Sequence, residues 1–346
     1  MVLASQPISG RTPTDCGYQI ILVQCRPVCC RPVCKDQKEG QLPPCERAMF
    51  PILQSVELAP NIFEMCVECP KLAKKAKPGH FVIVMAEEDG ERIPLTVADF
   101  DAEAGTLTFV VMAVGTSTRK IVQLKKGDSF FALMGPLGQP SEIEHFGTVI
   151  MVAGGVGTAP TYPIAKALRN HGNRIITIQG ARSKNLLFWQ DKMNAVSDEY
   201  IITTDDGSAG RKALVTEPLR EILEAAVSPG AVSPGAESHG EGERGKIGCV
   251  YMIGPAIMMK CCAETIAPYH VPGIASLNSI MIDGTGMCGG CRVKIGEDTK
   301  FTCVDGPEFE AQKVHWDMLL ARQKMYCTEE QCSLRRTTEL NEKLKS

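Results

Sequence analysis

The chain has 346 residues, 44% hydrophobic and 22% charged, with a formal net charge of −3. That length buries an ample core and suits two or three domains, while the slight acidity excludes a basic field for nucleic acid. The apolar run from Tyr18 to Val23 ends in Gln24 and Cys25, too short for a membrane span, and sixteen cysteines without a secretory signal point to reduced thiols in a cytoplasmic protein.

Residues 1–48 hold six cysteines, among them the duplicated Cys-Arg-Pro-Val-Cys at Cys25–Cys29 and Cys30–Cys34, with no helical or strand period. They read as a disordered leader, with a second metal or redox site as the alternative. From 49 to 147 the pattern is one of short runs broken by turns: Ile52 to Leu58, His80 to Met85, Thr106 to Ala113 and Ser129 to Leu133. Such spacing without a long helix predicts a small antiparallel β-barrel.

The period then changes. Thr148 to Ala153 reads as a buried strand running into Gly154-Gly155-Val156-Gly157-Thr158-Ala159-Pro160, then a helix to Leu168 and a second strand from Arg174 to Gln179. This βαβ unit opens a doubly wound, mostly parallel α/β domain over 148–272. Residues 226–245 contain Val-Ser-Pro-Gly twice and form an expected loop insertion. Cys249 to Ile253 resumes as a strand and Ala256 to Ile266 as a helix; residues 273–325 make a small loop module, and beyond Gly306 a helical, charged tail extends to Ser346, with 326–346 as its end.

Two motifs bear on chemistry. The first is Asp283-Gly-Thr-Gly-Met-Cys288-Gly-Gly-Cys291, followed by Cys303. Three thiolates and a carboxylate at this spacing match the wrapping loop of a 2Fe-2S cluster, which needs two donors per iron and a backbone nearly free of side chains. A tetrahedral zinc site, or three unrelated buried thiols, are the competing readings. The second motif is the turn containing Gly154, Gly155, Gly157 and Thr158. Glycines at a strand end let the backbone close on a pyrophosphate, and the following helix N-terminus directs free N–H groups at it. Close packing of the strand and helix is the alternative.

The order of barrel, Gly-Gly-x-Gly-x-Ala-Pro turn, Ile253-Gly254-Pro255 and cluster loop resembles the ferredoxin reductase superfamily. Within it, the likeness is to the electron-transfer subunits of dihydroorotate dehydrogenase B, their sulfide dehydrogenase relatives and the small subunits of NADH-dependent reduced ferredoxin:NADP oxidoreductase. It covers about residues 49 to 325. The resemblance implies a barrel that holds FAD, with Arg92, Pro94, Leu95 and Thr96 facing the flavin and Gly115, Thr116, Ser117 and Thr118 at its phosphates. It further implies that Gly254 and Pro255 lie near the nicotinamide, and that Asp205 and Asp206 lie beside the cofactor. Their acidity disfavours a 2′-phosphate and so favours NAD(H), with NADP(H) and a role for Arg182 left open.

The chain departs from the family pattern at four places: Leu95 stands where an aromatic usually stacks on the flavin, Arg92 lies one position earlier before Thr96 than the family's arginine, Ile253 stands where many relatives have cysteine, and Asp283 where dihydroorotate dehydrogenase subunits have the first cysteine ligand. The expectation is an electron-transfer oxidoreductase subunit with FAD in a β-barrel, NAD(H) on a doubly wound domain and a 2Fe-2S cluster on Asp283, Cys288, Cys291 and Cys303. Electrons would pass singly to a larger flavoprotein subunit, with ferredoxin as a further partner. The alternatives are the dihydroorotate dehydrogenase B electron-transfer subunit, a zinc-stabilised nucleotide-binding regulator and a redox sensor centred on the leader.

Overall fold

The computed structural model describes residues 50–227 and 246–345, with side chains as far as Glu339. The expected leader over 1–48 and nearly all of the 226–245 insertion lie outside these residues. The first eight strands are β1 (Phe50–Ala59), β2 (Ile62–Glu68), β3 (Phe81–Met85), β4 (Ile93–Thr96), β5 (Asp99–Asp101), β6 (Thr106–Met112), β7 (Ser129–Phe130) and β8 (Ala132–Leu137), with short helices α1 (Pro70–Ala73) and α2 (Thr116–Gln123) between them. They form antiparallel sheets ordered β5-β6-β2-β1-β7 and β4-β3-β8, which close as a barrel over one core containing Ile52, Met65, Val82, Val84, Leu107, Phe109 and Phe130. Each large apolar side chain fully buried in this way contributes about 1.5–3 kcal/mol. The β1–β2 turn is local chemistry: Asn61 takes φ 62°, which asparagine tolerates, and Glu57 Oε1 accepts its N–H at 3.1 Å.

The β3 sequence, Phe-Val-Ile-Val-Met, is apolar at every position because the strand is covered on both faces. Val82 and Val84 enter the barrel core. Phe81 and Ile83 point the other way, onto Leu137, Cys291 and Cys303. The barrel therefore has a second apolar face, on which the cluster loop rests.

The second domain contains β9 (Thr148–Gly154), α3 (Thr158–Asn170), β10 (Arg174–Ala181), α4 (Gln190–Ala195), β11 (Glu199–Thr204), β12 (Arg211–Lys212), α5 (Thr216–Val227), β13 (Ile247–Ile253), α6 (Ala256–Ile266) and β14 (Gly273–Ser276). β9 is buried at all seven positions, as a central parallel strand must be. The order β12-β11-β10-β9-β13-β14 reverses direction between β9 and β13, and this switch point is where open α/β sheets bind ligands, at the carboxyl ends of the strands.

The remainder comprises β15 (Arg292–Ile295), β16 (Asp298–Phe301), β17 (Glu308–Glu310), α7 (Trp316–Gln323) and α8 (Cys327–Lys345). The tail expected to be helical beyond Gly306 begins instead with a strand: β17 adds antiparallel to β14 as the seventh strand of the sheet. Trp316 and Leu319 of α7 are buried in the sheet's core cluster. Three residues of alternating chemistry were too short a run to separate from a loop by period alone.

The three parts are bolted together. Gln139, in the link after β8, donates its N–H to Gly306 O at 2.6 Å and its amide Nε2 to Val304 O at 2.8 Å. Trp189 donates Nε1–H to Glu64 Oε2 of the barrel at 2.7 Å, and Lys192 lies 3.9 Å above its ring. Phe188 and Trp189 pack with Ala59, Ile62 and Ala98 in the same contact.

Candidate functional site

On the barrel, β4 pairs with β3 so that Phe81 faces Thr96, Val82 faces Leu95 and Ile83 faces Pro94. Opposed residues share a face. Leu95 is therefore buried with Val82 in the barrel core, which accounts for its aliphatic character. Pro94 and Thr96 share their face with Ile83 and Phe81, the face that carries the cluster loop. Arg92 is exposed at the strand entrance.

The second barrel turn caps α2. Thr118 Oγ1 accepts the N–H groups of Val114 and Gly115, both at 3.0 Å, and a Cβ at Gly115 would meet nothing within 4 Å. This open helix start borders a cavity of about 130 Å³ lined by Thr116, Ser117, Lys120, Glu87, Asp89 and Glu91 among others. The helix N-terminus favours an anion there. The acidic rim opposes one: Glu91 accepts a hydrogen bond from Ser117 Oγ, and Glu87 pairs with Lys120 at 2.7 Å.

At the sheet's switch point the glycines divide by role. A Cβ on Gly157 would meet Ile253 O at 2.2 Å, one on Gly154 the Met258 sulfur at 2.3 Å, and one on Gly254 the Gly154 Cα at 3.1 Å. Those three let the ends of β9 and β13 approach. Gly155 is different: φ is +54° and nothing lies within 4 Å of its would-be Cβ, so its backbone is open toward the crevice. Thr158 is fully buried, and its Oγ1 has no hydrogen-bond partner. An orphaned buried hydroxyl at a helix start, beside an open glycine and Pro255 at the start of α6, is what a polar dinucleotide group would satisfy. Close packing thus accounts for Gly154, Gly157 and Gly254, and leaves Gly155 and Thr158 as the positions that fit a ligand. Met258 belongs to the crevice as well; sequence reasoning did not mark it, because a methionine in a helix reads as core.

Asp205 and Asp206 stand exposed just beyond β11. Asp206 Oδ1 accepts from Ser208 N at 2.9 Å and Ser208 Oγ at 2.6 Å, bonds that hold its carboxyl below the usual carboxylate range. The loop is thereby fixed with a full negative charge. Arg182 is exposed at the end of the neighbouring β10.

In the cluster loop, Gly284, Gly286 and Gly289 all take positive φ, between 63° and 83°, conformations that favour glycine. Buried Cys291 and Cys303 stand with their sulfurs 3.1 Å apart. Donation from the Cys303 thiol, against the opposing effect of burial, lowers Cys291 to about 6 and raises Cys303. Asp283 Oδ1 accepts Thr285 N at 2.6 Å and its Oδ2 accepts Cys288 N at 2.7 Å. Partial burial pushes the Asp283 carboxyl up, but these donors hold it below its ordinary value.

Of the four expected donors the loop brings one pair of sulfurs together, Cys291 with Cys303, while Asp283 is tied to the Cys288 backbone N–H rather than to its sulfur. Two irons require two donors each. For metal–sulfur bonds of about 2.3 Å, sulfurs on one tetrahedral metal stand roughly 3.8 Å apart, a small adjustment from the Cys291–Cys303 spacing. The exposed Cys288 sulfur instead accepts Gly290 N at 3.3 Å, and among the described residues no three His, Cys, Asp or Glu side chains converge to hold an ion. The donor set and the loop conformation fit a binuclear iron cluster, with Cys288 as the arm that must turn inward.

Half-buried beneath this assembly is a carboxyl that the sequence did not mark. Glu308 Oε1 accepts Ser141 Oγ at 2.6 Å where the barrel link, the sheet and the cluster module meet, and burial raises its pKa to about 7.

Comparison with known proteins agrees with this geometry. Residues 278–315 match the family described as the iron-sulfur cluster binding domain of dihydroorotate dehydrogenase B. A dihydroorotate dehydrogenase B (NAD(+)) electron transfer subunit homolog from Thermotoga maritima is 43% identical over 289 residues, 84% of this chain and 95% of that protein. The electron transfer subunit from Desulforamulus reducens is 31% identical over 274 residues, 77% and 97% of the two chains. Among solved structures, a chain of the NADH-dependent reduced ferredoxin-NADP oxidoreductase, a structure described for flavin-based electron bifurcation, superposes with a TM-score of 0.74 at 40% identity, covering 87% of this chain and all of that one. The ferredoxin reductase of carbazole 1,9a-dioxygenase, at TM-score 0.51 and 16% identity, shares the fold. The chain belongs to the family of dihydroorotate dehydrogenase B electron transfer subunits and their homologues.

Proposed function

We propose that this chain is the FAD- and 2Fe-2S-containing electron-transfer subunit of an NADH-linked oxidoreductase, delivering electrons one at a time to a larger flavoprotein partner. The observation that carries this reading is the shared barrel face: Ile83 pairs with Pro94 of the flavin segment, and a Cβ on Gly284 of the cluster loop would meet Ile83 Cγ1 at 3.0 Å. Flavin supplies the exchange between two-electron and one-electron chemistry, and an iron–sulfur cluster the single-electron exit.

The chain's own residues do the rest. Thr96 orients the isoalloxazine edge by hydrogen bonding, and Pro94 closes the adjacent surface. Arg92 and the α2 start at Gly115–Thr118 receive the pyrophosphate. Gly155 admits the dinucleotide at the switch point, Thr158 Oγ1 gains the hydrogen bond it lacks, and Gly254 and Pro255 form the opposite wall. Asp205 and Asp206 repel a 2′-phosphate, favouring NADH over NADPH. Asp283, Cys288, Cys291 and Cys303 hold the cluster, on the loop that follows β14. Ferredoxin is reached through the partner, and a reducing cytoplasm suits a chain none of whose ten described cysteines is in a disulfide. No helix of the described residues is long and apolar enough to cross a membrane.

The test is anaerobic purification with flavin, iron and sulfide analysis, then reduction by NADH or NADPH followed by absorbance. Flavin and iron bleached faster by NADH support the reading; a colourless, zinc-loaded protein refutes it. The relatives' names favour one second reading, dihydroorotate oxidation by the partner, and assaying the complex for that reaction against NADPH–ferredoxin exchange separates the two.

A further inference from the structure

Helix α8 is the element the proposed function leaves unused. It packs along α2, and Ser333 Oγ stands 3.0 Å from Thr116 Oγ1, 217 residues away in sequence. Thr116 is the first residue of α2, in the turn assigned to the FAD pyrophosphate. A hydroxyl bonded on one side retains capacity for another hydrogen bond, so Ser333 fixes the Thr116 rotor without consuming it.

The other end of the same arm is fixed to the cluster loop. Arg322 of α7 donates Nη2–H to Gly290 O at 2.8 Å, between Cys288 and Cys291. Gln323 donates to Asn278 O at 3.1 Å and to its Oδ1 at 2.7 Å. Trp316 and Leu319 root α7 in the core. One continuous stretch from Trp316 therefore touches both the loop that frames the proposed cluster and the turn that frames the proposed flavin phosphates.

A mainly polar helix of 19 residues gains little stability from its own propensity and depends on what it lies against. The α2 helix, with only eight residues, is equally dependent. Each lends the other order, and the point of contact is the binding turn.

We propose that α8 is a cofactor strap: docked through Ser333 and anchored on the cluster loop by Arg322, it holds Gly115–Thr118 in the phosphate-binding conformation and slows the loss of FAD. The inference rests on the assignment of that turn to FAD. The experiment compares the full-length protein, a chain ending at Tyr326 and the Ser333→Ala variant, following the recovery of free-flavin fluorescence after dilution, with iron content measured on each. The truncation is expected to release FAD about tenfold faster and Ser333→Ala about threefold faster, the effects of losing a helix contact and a single hydrogen bond. Iron in Ser333→Ala should stay at the full-length level. Addition of FAD to flavin-depleted full-length protein should also slow amide hydrogen exchange in α8.

If the full-length protein binds FAD and both altered chains release it at the same rate as full length, the strap is refuted while the FAD assignment stands. If the full-length protein binds no FAD, both fall together. If the truncated chain does not fold, Ser333→Ala and the exchange of α8 decide the matter: unchanged release with unchanged protection overturns the strap.

Discussion

Cys291 and Cys303, twelve residues apart, bring their sulfurs to 3.1 Å inside a bed made by Phe81, Ile83 and Leu137. Replacing Cys291 with serine should remove the cluster, leaving less than about a tenth of the iron and labile sulfide, since a hydroxyl is a poor ligand to a soft metal site. Cys262→Ser, in the buried face of α6, serves as the control and should keep its iron.

The switch-point glycines separate packing from binding. Gly157→Ala forces a methyl against Ile253 O at 2.2 Å and should cost about 2–3 kcal/mol of stability in denaturant titration, a typical overpacking cost. Gly155→Ala meets no atoms, so its stability loss should stay near 1 kcal/mol, from the positive φ alone. Its NADH affinity should nonetheless fall severalfold, because the open backbone is where the cofactor would approach.

Glu91 places a carboxylate beside Ser117 at the start of α2. Glu91→Gln should tighten FAD binding severalfold at low salt, with the gain shrinking as salt screens the repulsion. Titration of flavin-depleted protein by fluorescence quenching at two ionic strengths measures it.

Glu308 gives a pH dependence with a defined sign. Its folded-state pKa is raised from 4.5 to about 7 by burial, with Ser141 donating in opposition and the nearby Glu142 adding repulsion. A raised carboxyl stabilises the fold fully below the unfolded value, and that contribution is lost as pH climbs toward 7. The slope from this one group is at most about 1.4 kcal/mol per pH unit. Thermal melts of Glu308→Gln should show that decline flattened, with the variant gaining relative to the natural protein at pH 8.

The large plan was legible because its signals are periodic or local. The β9 run, the glycine turn after it and the α6 span from Ala256 to Ile266 follow from hydrophobic period and helix signals. The spacing of the four cluster donors was a property of the string itself. What was hidden depended on contacts between distant segments. The inward turn of Leu95 follows from its register with Val82, and β17 exists because β14 offers it an edge. The division of glycines into packing and open positions could not be read either, since Gly154 and Gly155 look alike until Met258 lies beside one of them. The run from His80 to Met85 was legible as a barrel strand, but that its Phe81 and Ile83 meet the loop carrying Cys291 and Cys303 was not, because that cover comes from a segment far along the chain.

The central claim is that Asp283, Cys288, Cys291 and Cys303 hold paired irons that receive electrons from NADH through flavin. The most direct measurement is electron paramagnetic resonance of the anaerobically isolated protein after NADH reduction, beside iron and sulfide analysis, for the natural chain and for Asp283→Cys. The account predicts about two irons and two sulfides per chain, a reduced-cluster signal, and a shifted signal in the variant. A protein without iron or labile sulfide would contradict the cluster, and an identical signal in Asp283→Cys would contradict ligation by that carboxylate.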